Sequence, residues 1–209
     1  MKKFYVKKEK KIKNNKINNN THLLASFLKA NSHYGTPTKT LNINNSQYLY
    51  GIRSKQAVIN LHHTIQSVRR SFLLIEKILR KRKMKPMDHK ILIVCNETKT
   101  KLFQQHFQSV PFAKQIKYIH EDWVGGFITN PQLLQKRLKN IRLIIALNGT
   151  RDNLLINAAR IASIPLISVV DTNINTNLIP YPIVMNTTKS ESIFFFMFLL
   201  KKYLSHLKL

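Results

Sequence analysis

Short runs of unbroken apolar residues, set apart by stretches with helical periodicity, leave this chain few architectures to choose from. Lys90 to Cys95, with Ile91-Leu92-Ile93-Val94 in its middle, Leu143 to Leu147 and Leu166 to Val170 are the clearest of these runs. A strand apolar along its length has to be covered on both faces, as parallel strands flanked by helices are, and as a half-solvated antiparallel sheet is not. Gln56 to Asn60, Ile116 to Ile119 and Pro182 to Met185 read as shorter strands. The segments between supply helices. Thr64 to about Met84 repeats apolar residues at Ile65, Val68, Phe72, Ile75, Ile78 and Leu79, and Lys99 to Gln108 is amphipathic. Pro131 suits the first helical position of a segment ending at Asn140, while Asp152 to Ala162 and Lys189 to about Leu207 complete the series. The predicted class is α/β: a three-layer sandwich with a mostly parallel sheet, flavodoxin-like or Rossmann-like.

Ahead of that alternation, Thr21 is a candidate N-cap for a short helix over His22 to Ala30. His33 to Asn45, with Gly35, Pro37 and many Thr and Asn, reads as a long loop, and loops of that length are contact candidates. The first twenty residues differ in kind. They carry eight lysines, one glutamate and no apolar period, the composition of a basic arm that orders on a polyanion. Without Arg, Ser or an apolar stretch, they resemble neither a secretory signal nor a transit peptide. The predicted division is an arm at 1–20 and a single α/β domain at 21–209. The longest apolar run, Ile193 to Leu200, has eight residues, against the roughly 18 a spanning helix needs, so it reads as the core side of the closing helix and no membrane partner is expected.

Thirty-five Lys and Arg against nine Asp and Glu give a net charge of +26, a self-repulsion that demands a polyanionic partner. With 44% apolar residues the chain is no wholly disordered basic tail. Cys95, the single cysteine, excludes an internal disulfide and a Cys-rich zinc site, and no histidine pair has HExxH spacing, so neither metal nor cofactor is expected. Phe, Tyr, Met, Ile, Asn and Lys total 93 residues against 29 for Gly, Ala, Arg and Pro, a bias that points to an AT-rich, organellar type of genome. Some lysines are therefore mutational in origin, and phosphate contacts have to be sought where cations cluster.

The densest cluster is Arg80, Lys81, Arg82, Lys83 and Lys85, at the end of a predicted helix that already bears Arg69, Arg70 and Lys77 with only Glu76 opposed. The helix dipole accounts for one or two cations there, and the set reads as a phosphate contact in preference to a solvated face. Lys2, Lys3, Lys7, Lys8, Lys10 and Lys11 of the arm join it as candidate phosphate contacts. In a parallel sheet the working loops follow the strands, here His62-His63, Asn96 to Lys99, His120 to Asn130, Asn148 to Arg151 and Asp171 to Asn177. Gly125-Gly126 could let backbone amides approach a phosphate, or could form a tight turn with Trp123 and Phe127 packed inward; neither GxGxxG nor GxxxxGK is present. Asp171 is the best candidate acid, with a turn or cap over Thr172 and Asn173 as its preferred role. An enzyme binding a phosphorylated ligand beside Gly125-Gly126 and Asp171 is the alternative, and it lacks both a phosphate fingerprint and an acid/base pair.

Several separated stretches resemble the S-two family of small ribosomal subunit proteins. Ser32-His33-Tyr34-Gly35 is similar to the family's His-aromatic-Gly segment, and Tyr48-Leu49-Tyr50-Gly51-Ile52-Arg53 to its YIYGxR stretch. Trp123-Val124-Gly125-Gly126-Phe127-Ile128-Thr129-Asn130 resembles its W-L-G-G-x-L-T-N motif, and Ile164-Pro165 with Val169-Val170-Asp171-Thr172-Asn173 its IP...VDTN segment. The order runs from about residue 21 to 205. Asn140 is followed almost at once by the strand at Leu143, so the long helical hairpin that bacterial members insert there reads as deleted. Asn148-Gly149, Ala158 and Glu121-Asp122 stand where the family has Asp-Pro, Glu and His-Arg. The resemblance implies a non-catalytic, mitochondrially encoded constituent of the small subunit near the junction of head and body, ribosome-bound in the mitochondrial matrix. Its partners would be small-subunit ribosomal RNA and neighbouring ribosomal proteins, with no small-molecule substrate. Arg53, Lys55, Lys136 and Arg137 would then add positioning contacts, and Tyr48, Tyr50 or Trp123 stacking.

Overall fold

The computed structural model describes residues 21–80, 90–95, 104–110, 112–120, 141–147 and 153–207. It contains a five-stranded parallel sheet and a three-stranded antiparallel one. In chain order the elements are helix α1 (21–29), β1 (Tyr34–Pro37), β2 (Leu49–Arg53), β3 (Gln56–Ile59), α2 (Leu61–Leu79), β4 (Ile91–Cys95), β5 (Ile116–His120), β6 (Leu143–Leu147), α3 (Asn153–Ile161), β7 (Leu166–Val170), β8 (Tyr181–Val184) and α4 (Ser190–His206). The parallel sheet is ordered β5-β4-β6-β7-β8. Renumbered from its first strand this is 2-1-3-4-5, the flavodoxin-like winding, with its topological switch between β4 and β6.

Alternate residues of the buried strands point to two separate cores. Ile91, Ile93, Leu143, Ile145, Ile167, Val169 and Ile183 pack with Phe27 of α1, Ile65, Phe72 and Ile75 of α2, and Phe196 and Leu200 of α4. Leu92, Val94, Ile144, Ala146, Leu166 and Val170 face the other way, against Leu155, Ile156 and Ala159 of α3 and Ile59 of β3. The sheet is therefore the middle layer of a three-layer sandwich, as the unbroken apolar runs require. Two polar contacts among the described residues tie α2 to it: Thr64 Oγ1 donates to the Val184 carbonyl at 2.7 Å, and the buried Lys90 Nζ donates to the Leu79 carbonyl at 3.1 Å. The second puts a cation on the negative end of α2.

Four local readings need correction. His33 to Asn45 is not one long loop: it holds β1 and 3-10 turns at Thr38–Thr40 and Ile43–Tyr48, because β1 pairs with β3 (Tyr34 opposite Val58) although its own sequence is polar and ends in Pro. Leu49–Arg53 is a strand that alternation does not reveal, since four of its five residues are exposed. His62 and His63 lie in the first turn of α2, which starts at Leu61 because Asn60 caps it by accepting from the His62 N–H at 3.1 Å. The Ile193 to Leu200 run is core only on one side: Ile193, Phe196, Met197 and Leu200 are buried, whereas Phe194 and Phe198 are 40% and 60% exposed.

Candidate functional site

The small antiparallel sheet gathers the motif residues of the first half of the chain, and the loop after β7 brings up those of the second. At β1 the backbone presses directly on Thr172. A Cβ on Gly35 would lie 2.8 Å from Thr172 Oγ1 and 2.9 Å from its Cγ2, so only glycine leaves room for the contact. The Thr36 N–H donates to Thr172 Oγ1 at 2.8 Å, and the two threonine hydroxyls share a 2.7 Å bond. Asn45, fully buried, completes the joint. Its Nδ2 donates to the carbonyls of Thr172 (2.9 Å) and Ile174 (2.6 Å), while its Oδ1 accepts from the Thr176 hydroxyl (2.8 Å) and N–H (3.3 Å). Every hydrogen-bonding valence of that side chain is used.

Asp171 is a bracket inside this joint. Oδ1 accepts from the Thr172 N–H at 2.7 Å and Oδ2 from the Thr187 N–H at 3.2 Å, so the carboxylate ties the loop after β7 to the segment after β8. Burial raises its pKa above the ordinary carboxylate range, only partly countered by the hydrogen bonds from Thr172 and Thr187. Thr187 in place of Asn173, which is exposed, is the second partner of the expected turn. The remaining described acids are also engaged: Glu76 with Arg80 (2.8 Å) and Tyr203 (2.5 Å), and Glu191 with Asn31 Nδ2 (2.8 Å). A phosphorylated-ligand enzyme using Asp171 finds its carboxylate occupied by backbone amides.

Near the same joint, Asn186 Nδ2 donates to the Tyr34 carbonyl at 2.7 Å, Ser192 Oγ to Ser32 Oγ at 2.9 Å, and Lys189 Nζ lies 4.9 Å from the centre of the Tyr34 ring. None of Asn45, Asn186 or Lys189 stands out in a sequence so rich in Asn and Lys. The glycine contact has a sequence signal, the adjacent His-aromatic pair; the asparagines have none.

Of the predicted cations, Arg53 and Lys55 sit on the exposed end of the β2–β3 hairpin, Ser54 and Lys55 forming its turn with positive φ of 49° and 60°. Arg69, Arg70 and Arg80 are exposed along α2, Arg80 paired with Glu76. The structure thus separates the cations into a hairpin group and a helix group. Lys2, Lys3, Lys7, Lys8, Lys10, Lys11, Lys81, Arg82, Lys83, Lys85, Lys136 and Arg137, and the motif residues Trp123, Gly125, Gly126, Thr129 and Asn130, lie outside the described residues. No helix among the described residues is long and apolar enough to cross a membrane.

Comparison with known proteins agrees with this geometry. The family model described as ribosomal protein S2 matches residues 27–146 and 141–205. The small ribosomal subunit protein uS2m of Marchantia polymorpha is 24% identical over 230 aligned positions, covering 88% of this chain and 92% of that protein. The small ribosomal subunit protein uS2 of Borrelia hermsii is 22% identical over 218 positions, covering 83% of this chain and 82% of its own length. The family is one of structural ribosomal proteins and not of enzymes. Matched by the family model over residues 27–146 and 141–205, the chain belongs to the ribosomal protein S2 family.

Proposed function

We propose that this S2-family chain is a ribosomal-RNA-bound constituent of a mitochondrial small ribosomal subunit, resident in the matrix near the junction of head and body. The observation that carries the RNA contact is the net charge of +26, for which a polyanion is the natural counterpart. Residues 1–20 act as an arm on a single α/β domain at 21–209. Its lysines, with Lys81, Arg82, Lys83 and Lys85 beyond Arg80, neutralise backbone phosphates, and Lys136 and Arg137 add a further contact. Support for the mitochondrial assignment comes from the AT-type composition, the similarity to uS2m of Marchantia polymorpha and the reading that the bacterial helical hairpin is lost before β6. The two matched family segments also meet there, at residues 141–146.

Fractionation of the organelle tests the reading. The chain is expected to sediment with the small subunit and to remain there at moderate salt. Recovery only in the soluble fraction overturns it.

A further inference from the structure

The antiparallel sheet carries a groove of about 680 Å³ lined by residues of all three strands. Its floor is a row across the three strands, Tyr34, Val58 and Gly51, in register with one another. Among the described residues nothing stands within 4 Å of where a Gly51 Cβ would lie, so the floor is open above that position. The Tyr34 ring is backed by His33 at 4.1 Å between ring centres and approached by Lys189 Nζ. Tyr50 lines the same groove. It is the extra residue of a β-bulge, since Leu49 pairs with Ile59 and Gly51 already with Val58, and the bulge leaves its side chain 82% exposed. Arg53 lines the same groove, with Lys55 two residues on in the turn, and among the described residues no carboxylate does.

These features select the occupant. A groove with cations at its ends repels the lysine-rich first twenty residues. The bulge at Tyr50 breaks the regular hydrogen-bond row that an added protein strand would need. Two aromatic side chains on one groove with cations beside them are what a flat, unpaired base and its phosphates require. Burial and the neighbouring Lys189 hold the His33 pKa below its ordinary value, so this ring stays uncharged near neutral pH. We propose that the groove receives an unstacked nucleobase of small-subunit ribosomal RNA against Tyr50 and Tyr34, with Arg53 and Lys55 on the flanking phosphates. This rests on the reading of the chain as RNA-bound and adds where, and through which part of the RNA, it holds on.

The test uses the full chain and a transcript of the small-subunit ribosomal RNA, with affinity measured over a range of salt. Tyr50→Ala is expected to weaken binding roughly 5- to 100-fold, with an unchanged salt slope because stacking releases no counterions. Tyr50→Phe should bind like the parent. Gly51→Leu, placed where the space is open, should fill the floor and weaken binding comparably, its urea midpoint showing the fold intact. Arg53→Ala should instead flatten the slope by about 0.7. With 4-thiouridine in the transcript, the cross-link should fall on the peptide containing Tyr50. Parental affinity in both Tyr50→Ala and Gly51→Leu, while the parent binds, overturns the groove and leaves RNA binding standing; a parent that does not bind overturns both. Loss of a protein neighbour from the assembled subunit in Tyr50→Ala, with RNA affinity intact, marks the groove as a protein seat and also overturns the proposal.

Discussion

Replacing Gly35 by alanine probes the joint between the two sheets at its tightest point. The new Cβ would stand 2.8 Å and 2.9 Å from Thr172 Oγ1 and Cγ2 and 3.1 Å from the Ala57 Cβ. Ordinary contact begins near 3.5 Å, so Thr172 has to retreat by roughly half an ångström or more. It cannot do so freely, because Oγ1 is held by the Thr36 N–H and hydroxyl at 2.8 Å and 2.7 Å. Overpacking costs roughly 1–3 kcal/mol and each weakened hydrogen bond about 0.5–1.5 kcal/mol, offset by roughly 0.5–1 kcal/mol for removing a strand glycine. Gly35→Ala is therefore expected to destabilise by about 3 kcal/mol in urea unfolding, read from the shift in midpoint at unchanged slope. Gly51→Ala is the control, the same change in the same sheet where a Cβ meets nothing among the described residues, and it should cost at most about 0.5 kcal/mol. Equal midpoints for the two variants would refute the claim that β1 is pressed onto Thr172.

Asn45→Ala strips partners from the buried Thr172 carbonyl, the half-buried Ile174 carbonyl and the Thr176 hydroxyl and amide, and should cost about 2–4 kcal/mol in the same assay; a loss below ~1 kcal/mol would mean water replaces the amide. Because the folded-state pKa of Asp171 is raised above 3.8, the folded state binds the proton more tightly, and this group's contribution falls as pH rises through the interval between the two values. Thermal melts of the parent should therefore lose ground to Asp171→Asn as pH increases from about 4, and parallel curves would contradict the burial argument. Burial and the Glu76 hydrogen bond push the Tyr203 pKa up to about 12, so its contribution is intact below the unfolded value of 10 and lost between there and 12. Absorbance titration of the phenolate should show the late midpoint, and Glu76→Gln should lower it without returning it to 10, burial being the larger cause.

The parallel sheet is legible because Ile91–Cys95 and Leu143–Leu147 are covered on both faces, which leaves no polar position to interrupt the pattern. The antiparallel sheet is not. β1 contains glycine and ends at Pro37, and β2 projects into solvent with a bulge that breaks alternation at Tyr50, so long-range pairing decides their conformation over local preference. Asp171 was recognisable as a structural carboxylate from its place after a buried strand, but Thr187, its second partner, is 16 residues away. Asn45 and Asn186 act through geometry that an excess of asparagine hides. Glu76, the one acid the sequence sets against the cations of α2, pairs with Arg80 one helical turn on.

The joint through Thr36 and Thr172 closes over a separation of 136 residues, which has a consequence for synthesis. The strands that carry Tyr34 and Tyr50 leave the translating ribosome long before their partner loop has been made. At about 5–20 residues per second the interval is roughly 7–27 s. Throughout it Thr36 lacks its Thr172 partner, and a nascent chain of this charge passes that time beside a large body of RNA.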